Sequence, residues 1–364
     1  MAEPAAAALA RPPGLVVPRA ALALAAVAAL AVAATLASLA LGAVAIPPER
    51  VLRVLWAGLS EGSGAAREPG LAREALIVLN IRLPRTIVGL LVGAGLAVSG
   101  ALMQGLFRNP LADPGLIGVS AGAALAAATV IVLGDAILPA GRLPFAVLPV
   151  GAFLGALAST FALYGIATRQ GRTSIATMLL AGIALAALAG AGTGLLAYLS
   201  DDRQLRDLTF WTLGSLGGAT WTKLAVVAPA ILPVLVAVPF LGRSLNALVL
   251  GEAEAFHLGV DVQRVKRLAV VLVAVAVGAG VATAGVIGFV GIVVPHLVRL
   301  VVGPAHRLLL PASGLLGGAL LVAADVLARL VAAPAELPIG ILTAGIGAPF
   351  FLWLLLRRDA GLDG

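Results

Sequence analysis

The feature that most constrains this chain is a series of apolar runs, each about 20 residues long, that recurs from residue 20 to residue 356. A run of that length crosses the hydrocarbon core of a bilayer as one α-helix. Hydrophobic residues make up 61% of the sequence and charged residues 11%, which excludes an ordinary soluble domain. Scarce aromatic residues and abundant glycine favour close helix packing over the alternating strands and aromatic girdles of a β-barrel. We therefore predict an all-α integral membrane protein.

About ten transmembrane helices can be placed between the polar interruptions. Their approximate limits are 20–45, 84–107, 115–138, 144–168, 175–199, 222–241, 268–284, 286–303, 308–330 and 338–356. An even number of spans places both termini on one side, and Arg357 and Arg358 after the last span favour the cytoplasm. We predict a disordered cytoplasmic N-terminus over 1–19, a single ten-helix domain over 20–356 and a cytoplasmic tail over 357–364.

An internal similarity predicts that the chain is duplicated. The segment VGAGLAVSGAL, residues 92–102, resembles VGAGVATAGVI, residues 277–287. The two segments fall in the second and seventh spans, so the odd offset gives the two halves opposite orientations. Such an internal inverted repeat is typical of transporters. The alternative explanation is that glycine- and alanine-rich helices resemble one another through composition.

The sequence offers no site that would energise transport within this chain. A P-loop needs a lysine that follows glycine and precedes serine or threonine, and neither Lys223 nor Lys266, the two lysines, follows a glycine. Ion coupling needs ionisable groups inside the membrane, where Asp325 is the best candidate. Arg329 lies four residues later on the same helical face, and we expect the two to pair near the end of their helix. A proton relay through Asp325 is the alternative. No catalytic residue is predicted.

Metal and nucleic-acid binding are equally unsupported. The chain has no cysteine, and His257, His296 and His306 are far apart, in positions where we expect loops or helix ends. The net charge of +7 comes from arginines at the ends of apolar runs, which favours loop anchoring at the membrane over nucleic-acid binding. We predict no metal site and no cofactor bound by this chain.

The longest loop on the predicted cytoplasmic side covers residues 242–267 and is more than a linker. Gly251 and Gly259 interrupt it, and apolar residues recur at helical spacing, namely Leu245, Leu248, Leu250, Ala253 and Phe256. We predict two short helices separated by a glycine. They would form either a ledge for a partner protein or a helix that lies on the lipid headgroups.

A resemblance to a known family covers nearly all of residues 80–356. The stretch RLPRTIVGLLVGAGLAVSGALMQGLFRNPLADPGLIGVSAGA, residues 82–123, resembles the signature region of the FecCD family of ABC-importer permeases. The likeness continues, in order, through LLAGIAL, FWTLGSLGGATW, LGEAEAFHLGV, GVIGFVGIVVPHLVRL and AELPIGILTAGIGAPFFLWLL. Members of this family bring iron siderophores, haem or vitamin B12 across the bacterial inner membrane.

The resemblance implies a fold and a set of partners. It implies ten helices per subunit, a second copy of the chain, two cytoplasmic ATPase subunits that use ATP and Mg, and a periplasmic binding protein. The chain itself would be a transport subunit and not an enzyme. Membrane lipid would surround it in the inner membrane, and no nucleic acid would bind.

The resemblance also assigns roles to particular residues. In such permeases the RNPLADP turn closes the cytoplasmic mouth of the pathway, which implies a gate at Asn109 and Leu111, completed by Thr173 and Ser174. The sequence departs from the vitamin B12 permeases just before MLLAG, next to this second pair. Contact with the ATPase would use the loop residues Leu250, Gly251, Glu252, Glu254, Leu258 and Gly259. Docking of the binding protein would use Arg82, Arg85 and Arg329, whose planar guanidinium groups suit carboxylates.

The same resemblance predicts the cargo. The stretch YLSDDRQLRDLTFWTLGSLGGATW, residues 198–221, resembles the haem-transporting branch more than the vitamin B12 branch. We therefore predict a haem permease supplied by a periplasmic haem-binding protein, with vitamin B12 or a ferric siderophore as alternative cargo. No histidine or tyrosine pair is placed to ligate haem iron, and Tyr164 and Tyr198 are expected at helix ends. An ion-coupled secondary transporter is the alternative of a different class.

Overall fold

The structure, a computed structural model, describes residues 16–60, 70–137 and 147–358. The helices are α1 (Val16–Ala40), α2 (Pro48–Ser60), α3 (Ala72–Ala75), α4 (Leu83–Phe107), α5 (Val119–Ile137), α6 (Val147–Ala167), α7 (Ile175–Leu199), α8 (Asp202–Leu213), α9 (Trp221–Leu250), α10 (Glu252–His257), α11 (Val262–Ala284), α12 (Val290–Val302), α13 (His306–Val331) and α14 (Ile339–Arg358). A π-helical stretch, Leu76–Arg82, joins α3 to α4. Most of the predicted N-terminal segment and of the predicted tail lies outside the described residues.

The ten predicted spans all correspond to apolar helices, in the predicted order. Seven helical segments are long and apolar enough to cross a membrane, and they contain α1, α4, α6, α7, α9, α11 and α13. Three shorter apolar helices, α5, α12 and α14, complete the set. The predicted all-α membrane fold is therefore confirmed.

The observed helix limits differ most from the predicted ones around the loop 242–267. Helix α9 continues to Leu250, and Leu245 and Leu248 are buried, so this part of the loop is the packed end of a spanning helix. Helix α11 begins at Val262, where the side chain of Asp261 caps it by accepting a hydrogen bond from the backbone N–H of Arg264 at 3.0 Å. The predicted pair of short helices is wrong, because its first member belongs to α9.

Helix α4 lies at the centre of the bundle and packs against α9, α11, α12 and α13. Its glycines permit this close approach. A methyl group at Gly93 would overlap the carbonyl oxygen of Gly317 in α13, and one at Gly100 would overlap that of Gly291 in α12. Small residues at such crossings let helix backbones touch inside a membrane.

The contacts of the central helices correspond between the two halves of the chain, as a duplication requires. Helix α4 packs on α13, and α11, which carries the matching glycine motif, packs on α6. Numbered by span, α4 and α13 are the second and ninth spans, whereas α11 and α6 are the seventh and fourth. A shift by five spans, as in a duplication, converts the first pair into the second. The two motif helices, α4 and α11, also pack on each other. This arrangement agrees with the duplication predicted from the sequence.

The described residues between the first two predicted spans, 46–60 and 70–83, are mostly helical, although the limits of the spans left them as a connection. Helix α2, helix α3 and the π-helical stretch enclose a small second core with the end of α1. Its buried members are Leu39, Ala40, Ile46, Val51, Val54, Ala75 and Val78. This core supports the chain around Arg82.

Candidate functional site

The RNPLADP turn connects α4 to α5 at the end of the bundle that also carries residues 168–174 and helix α10; we call it the loop end. Arg108 follows the last residue of α4 in a left-handed conformation, with φ 49°. The side chain of Asn109 accepts a hydrogen bond from the backbone N–H of Leu111 at 2.9 Å, which closes a tight turn. Asn109 and Leu111 thus lie in a turn, as the sequence indicated, and their gate role stays a prediction.

Asp113 begins the next element of this connection. Its Oδ1 accepts a hydrogen bond from the backbone N–H of Gly115 at 2.7 Å, at the start of a 3-10 turn, Pro114–Ile117. Burial raises the pKa of Asp113 above its ordinary value. The 3-10 turn packs on α7 at Gly182, where an added methyl group would overlap the carbonyl oxygen of Leu116. The turn is therefore in direct contact with the helix that Ser174 begins.

A two-stranded hairpin connects α6 to α7. Its strands, Thr168–Arg169 and Arg172–Thr173, pair antiparallel. Gln170 and Gly171 have φ angles of 51° and 75°, the left-handed conformation that a two-residue hairpin turn requires. Sequence analysis missed the hairpin, although a polar residue followed by glycine is a signal for such a turn.

The second pair of predicted gate residues occupies two different environments. Ser174 is exposed, and its hydroxyl oxygen accepts a hydrogen bond from the backbone N–H of Thr177 at 3.3 Å, which caps α7. Thr173 is buried. Its hydroxyl lies 3.0 Å from that of Thr168 and donates to the hydroxyl of Tyr164, in the last turn of α6, at 3.2 Å. Ser174 is accessible to a second chain in this arrangement, whereas Thr173 is held inside.

Two side chains of α11 hold the backbone of Thr173. Its N–H donates to Oε1 of Gln263 at 3.0 Å, and its carbonyl oxygen accepts from Nζ of Lys266 at 2.9 Å. Lys266 is buried and also pairs with Oε1 of Glu252, the first residue of α10, at 2.7 Å. The sequence pointed to Glu252 and Thr173 separately, but gave no sign that one lysine joins them.

Helix α10 presents an apolar surface at the loop end. It is bounded by Gly251 and Gly259, whose φ angles of 138° and 80° few other residues adopt. The side chains of Leu250, Phe256 and Leu258 are 66%, 71% and 65% exposed. The residues predicted for ATPase contact therefore lie together on one short segment of the chain. That contact stays a prediction.

The predicted apolar side of this loop is divided between two surfaces. Leu245 and Leu248 point into the bundle, whereas Ala253 and Phe256 are exposed on α10. Glu254 is exposed too, and its carboxylate lies against Gly251, where an added methyl group would overlap it. Only the part from Leu250 onward is thus available as a ledge.

The opposite end of the bundle, which we call the arginine end, buries the three predicted docking arginines. Arg82, Arg85 and Arg329 are 5%, 6% and 8% exposed. Arg82 donates hydrogen bonds to the carbonyl oxygens of Leu39 and Val44, at the end of α1 and just beyond it. Their burial places these arginines inside the chain and not on its surface.

Asp325 is shared between two of these arginines. It accepts hydrogen bonds from Nη2 of Arg85 at 2.8 Å and from Nε of Arg329 at 3.1 Å. The pairing of Asp325 with Arg329, predicted from their spacing, is therefore confirmed. Arg329 also donates to the Ser38 hydroxyl at 3.1 Å and to the Leu41 carbonyl oxygen at 2.9 Å. The cluster binds α1, α4 and α13 together.

Glu336 is the most accessible member of this cluster, with a side chain 43% exposed. It accepts from Nη1 of Arg85 at 2.8 Å and from Nη2 at 3.0 Å, and the hydrogen-bonded guanidinium lowers the pKa of this carboxyl. Docking of a binding protein through Arg82, Arg85 and Arg329 stays a prediction. It would require an incoming carboxylate to share or replace Glu336.

A cavity of about 480 Å³ lies at the loop end, beside the RNPLADP turn, and several polar side chains contribute to its lining. Gln104 accepts a hydrogen bond from Nη2 of Arg299 at 2.7 Å. Nδ1 of His306 lies 2.9 Å from Oδ1 of Asn246, which also accepts from the His306 backbone N–H. These contacts link α4, α9, α12 and α13, and sequence analysis identified none of them, because each joins residues far apart in the chain.

The three histidines do not come together. His257 ends α10 and His306 begins α13, as expected for helix ends. His296 instead lies within α12, with its ring 6.0 Å from that of Phe350, so its predicted position was wrong. Among the described residues there is no group of three or more histidine, aspartate or glutamate side chains placed to hold a metal ion.

Comparison with known proteins identifies the family. Residues 30–357 match the FecCD transport family. A hemin transport system permease protein, HmuU of Yersinia pestis, is 50% identical over 79% of this chain and 85% of its own length. A cobalamin import system permease protein, BtuC of Halobacterium salinarum, is 46% identical over 84% of this chain and 80% of its own. For a vitamin B12 import system permease protein, BtuC of Serratia proteamaculans, the values are 44%, 83% and 86%.

A solved structure supports the same conclusion. A metal-chelate type ABC transporter in an inward-facing conformation matches with a TM-score of 0.79 at 32% identity, over 92% of this chain and 98% of that one. The chain therefore belongs to the FecCD transport family, as a multi-pass inner-membrane permease subunit of an ABC importer.

Proposed function

We propose that this permease passes haem from a periplasmic haem-binding protein to the cytoplasm. The observation that carries the proposal is the 50% identity with a hemin permease, against 46% and 44% for two cobalamin permeases. The difference is small, so vitamin B12 is the second candidate. The resemblance of residues 198–221 to the haem branch favours the same choice.

The apolar character of the spans is compatible with a mostly apolar cargo. Helix α7 carries no ionisable group except Tyr198, and its side chains Leu180, Ile183 and Leu195 are 70%, 63% and 59% exposed. Tyr198, next to the last residue of α7, is 85% exposed, as expected for a helix end. A pathway of this kind touches cargo through weak apolar contacts and lets it leave.

We propose that a second copy of the chain covers part of this exposed surface. Helix α7 packs only on neighbours from its own half of the chain, α5, α6 and α8, among the described helices with substantial contact. A homodimer would enclose a pathway between the two copies and would bring two sets of gate residues together. Membrane lipid would cover the remaining apolar surface.

Energy would come from two ATPase subunits that bind ATP and Mg and press on α10. The exposed Leu250, Phe256 and Leu258 provide an apolar contact for such a partner. This assignment places the loop end and both termini in the cytoplasm, and the arginine end in the periplasm. It leaves this chain without a cofactor or a catalytic residue.

Uptake into liposomes tests the proposal. The permease is co-purified with its ATPase and reconstituted with the binding protein, and hemin uptake is recorded with and without ATP, with vitamin B12 as competitor. We expect ATP-dependent hemin uptake that vitamin B12 does not reduce. As a control, an ATPase variant without its P-loop lysine should abolish uptake.

The other outcomes each change one part of the proposal. ATP-driven uptake of vitamin B12 alone would keep the machinery and replace the cargo. Hemin uptake that is indifferent to ATP and follows an ion gradient would replace the ABC mechanism by secondary transport.

A further inference from the structure

Lys266 is a buried cation to which the proposed function assigns no role. It is one of two lysines in the chain and is 2% exposed. Burying an ammonium group is costly unless it is paired and hydrogen-bonded, so such a residue in a membrane protein calls for a specific explanation. Sequence analysis considered Lys266 only in excluding a P-loop.

The ammonium group of Lys266 joins three separate elements. Lys266 itself belongs to α11. Its Nζ lies 2.7 Å from Oε1 of Glu252, at the start of α10, and donates to the carbonyl oxygen of Thr173, in the hairpin, at 2.9 Å. A lysine ammonium has three donors that it can direct to different partners, which suits a junction of this kind.

The hairpin side of this junction is firmly held. Gln263, three residues before Lys266 on the same face of α11, accepts the Thr173 N–H at 3.0 Å. The backbone donor and the backbone acceptor of Thr173 are thus both bonded to α11. Ser174 follows directly and begins α7. Any movement of this part of α11 must displace the start of α7.

The α10 side is attached more lightly. The helix has six residues and lies between the flexible positions Gly251 and Gly259. Ala255 anchors it in the core. Among the ion pairs of the described residues, the pair of Glu252 with Lys266 is the one that attaches α10 to the bundle.

We infer that Lys266 is a positioning residue that makes α10 and the hairpin move as one body. Force applied to α10 reaches Thr173 through the ammonium group and changes the position of Ser174 at the start of α7. This inference rests on the proposed function, because it takes α10 as the surface on which the ATPase acts. Without Lys266, the ATPase would still hydrolyse ATP, but a smaller fraction of hydrolysis events would move the gate.

The first test measures coupling in the complete transporter. The permease with its ATPase and binding protein is reconstituted in liposomes, and the number of hemin molecules taken up per ATP hydrolysed is compared between the natural protein and Lys266→Met. We expect ATP hydrolysis to continue in the variant and the uptake ratio to fall about tenfold, within the usual range of coupling between two sites. Arg307→Met, which removes an exposed cation at the same end, should leave the ratio unchanged.

The second test observes the junction directly. The chain has no cysteine, so cysteines placed at Arg169 in the hairpin and Ala253 on α10 can be spin-labelled specifically. In nucleotide-free and ATP-bound complexes in which one copy of the chain carries both labels and the other carries none, the distance between the two labels should have one narrow distribution that does not change. Lys266→Met should broaden that distribution, and a merely destabilised protein with an intact junction would not show this.

The outcomes separate the inference from the proposed function. If Lys266→Met keeps both the natural uptake ratio and the narrow distance distribution, the inference is wrong. If the natural complex takes up neither hemin nor vitamin B12 with ATP, the proposed function fails before the variant is considered. If Lys266→Met does not assemble, Glu252→Ala decides, because Glu252 is partly exposed and this change removes the acceptor on α10 while it leaves the Lys266 bond to Thr173 in place. An uptake ratio unchanged by Glu252→Ala would then overturn the inference.

Discussion

The two ends of the bundle both bury cations, but they use different residues for different purposes. At the arginine end, Arg85 and Arg329 hold Asp325 in several hydrogen bonds, and the cluster joins long spanning helices. At the loop end, Lys266 joins two short elements by single contacts. A guanidinium group is a rigid fork that fixes geometry, whereas an ammonium group is a point charge on a flexible stem. The difference suggests that the arginine end maintains the fold and that the loop end moves.

Asp325→Ala should have the largest effect on stability, because it disrupts the ion-pair cluster at the arginine end. It leaves the buried Arg85 and Arg329 without their shared carboxylate, and removing one partner of a buried ion pair costs about 3–5 kcal/mol. The free energy of unfolding of the purified permease in detergent measures this loss. Glu336→Gln is the matched control, because that carboxylate is partly exposed and its removal leaves Asp325 in place. A loss below about 0.5 kcal/mol for Asp325→Ala, the size of an ordinary surface effect, would contradict a structural role for the cluster.

The same comparison shows which contacts a sequence can reveal. The pair of Asp325 with Arg329 was predictable, because a spacing of four residues places two side chains on one face of a helix. The bond of Arg85 to Asp325 spans 240 residues of sequence, and nothing in either segment indicates it. The burial of Arg82 likewise depends on partners far away in the sequence, the carbonyl oxygens of Leu39 and Val44.

At the loop end, sequence patterns located the turn and α10 but not their connections. Apolar runs and glycines gave the spans and the breaks at Gly251 and Gly259, since hydrophobic length and glycine conformation are local properties. The extension of α9 to Leu250 depends on packing of Leu245 and Leu248 against distant helices. The junction at Lys266 likewise depends on tertiary structure, because it brings together residues from three separate elements.

Phe256→Asp should have a smaller effect and should separate function from stability at the loop end. Phe256 is 71% exposed, so a charge there leaves the fold unchanged. If α10 is the ATPase contact, burying that charge should weaken assembly by more than about 1 kcal/mol, the usual threshold for an important contact residue. Titration of the detergent-solubilised permease with the ATPase measures the affinity.

The control for Phe256→Asp is Leu59→Asp in α2, outside the loop end, where the side chain is 86% exposed. It introduces the same charge and should not alter ATPase binding. Equal affinities for Phe256→Asp and the natural protein would exclude α10 as the contact and would favour a helix that lies on lipid.

The smallest expected effect is the pH dependence of the stability that the Arg85–Glu336 pair contributes. It distinguishes the partly exposed Glu336 from the buried Asp325 at the arginine end. The bonded guanidinium lowers the pKa of the Glu336 carboxyl below its ordinary 4.5 in the folded protein. Its stabilisation is therefore fully present above the ordinary pKa and is lost as the pH falls through the lowered one. Because the side chain is 43% exposed, solvent screening limits the contribution to less than about 1 kcal/mol. Unfolding of the natural protein and of Glu336→Gln, followed from neutral pH into the acid range, should show a stability difference that shrinks as Glu336 is protonated. A difference independent of pH would mean that the carboxylate charge contributes nothing, and that Asp325 alone holds the arginine end together.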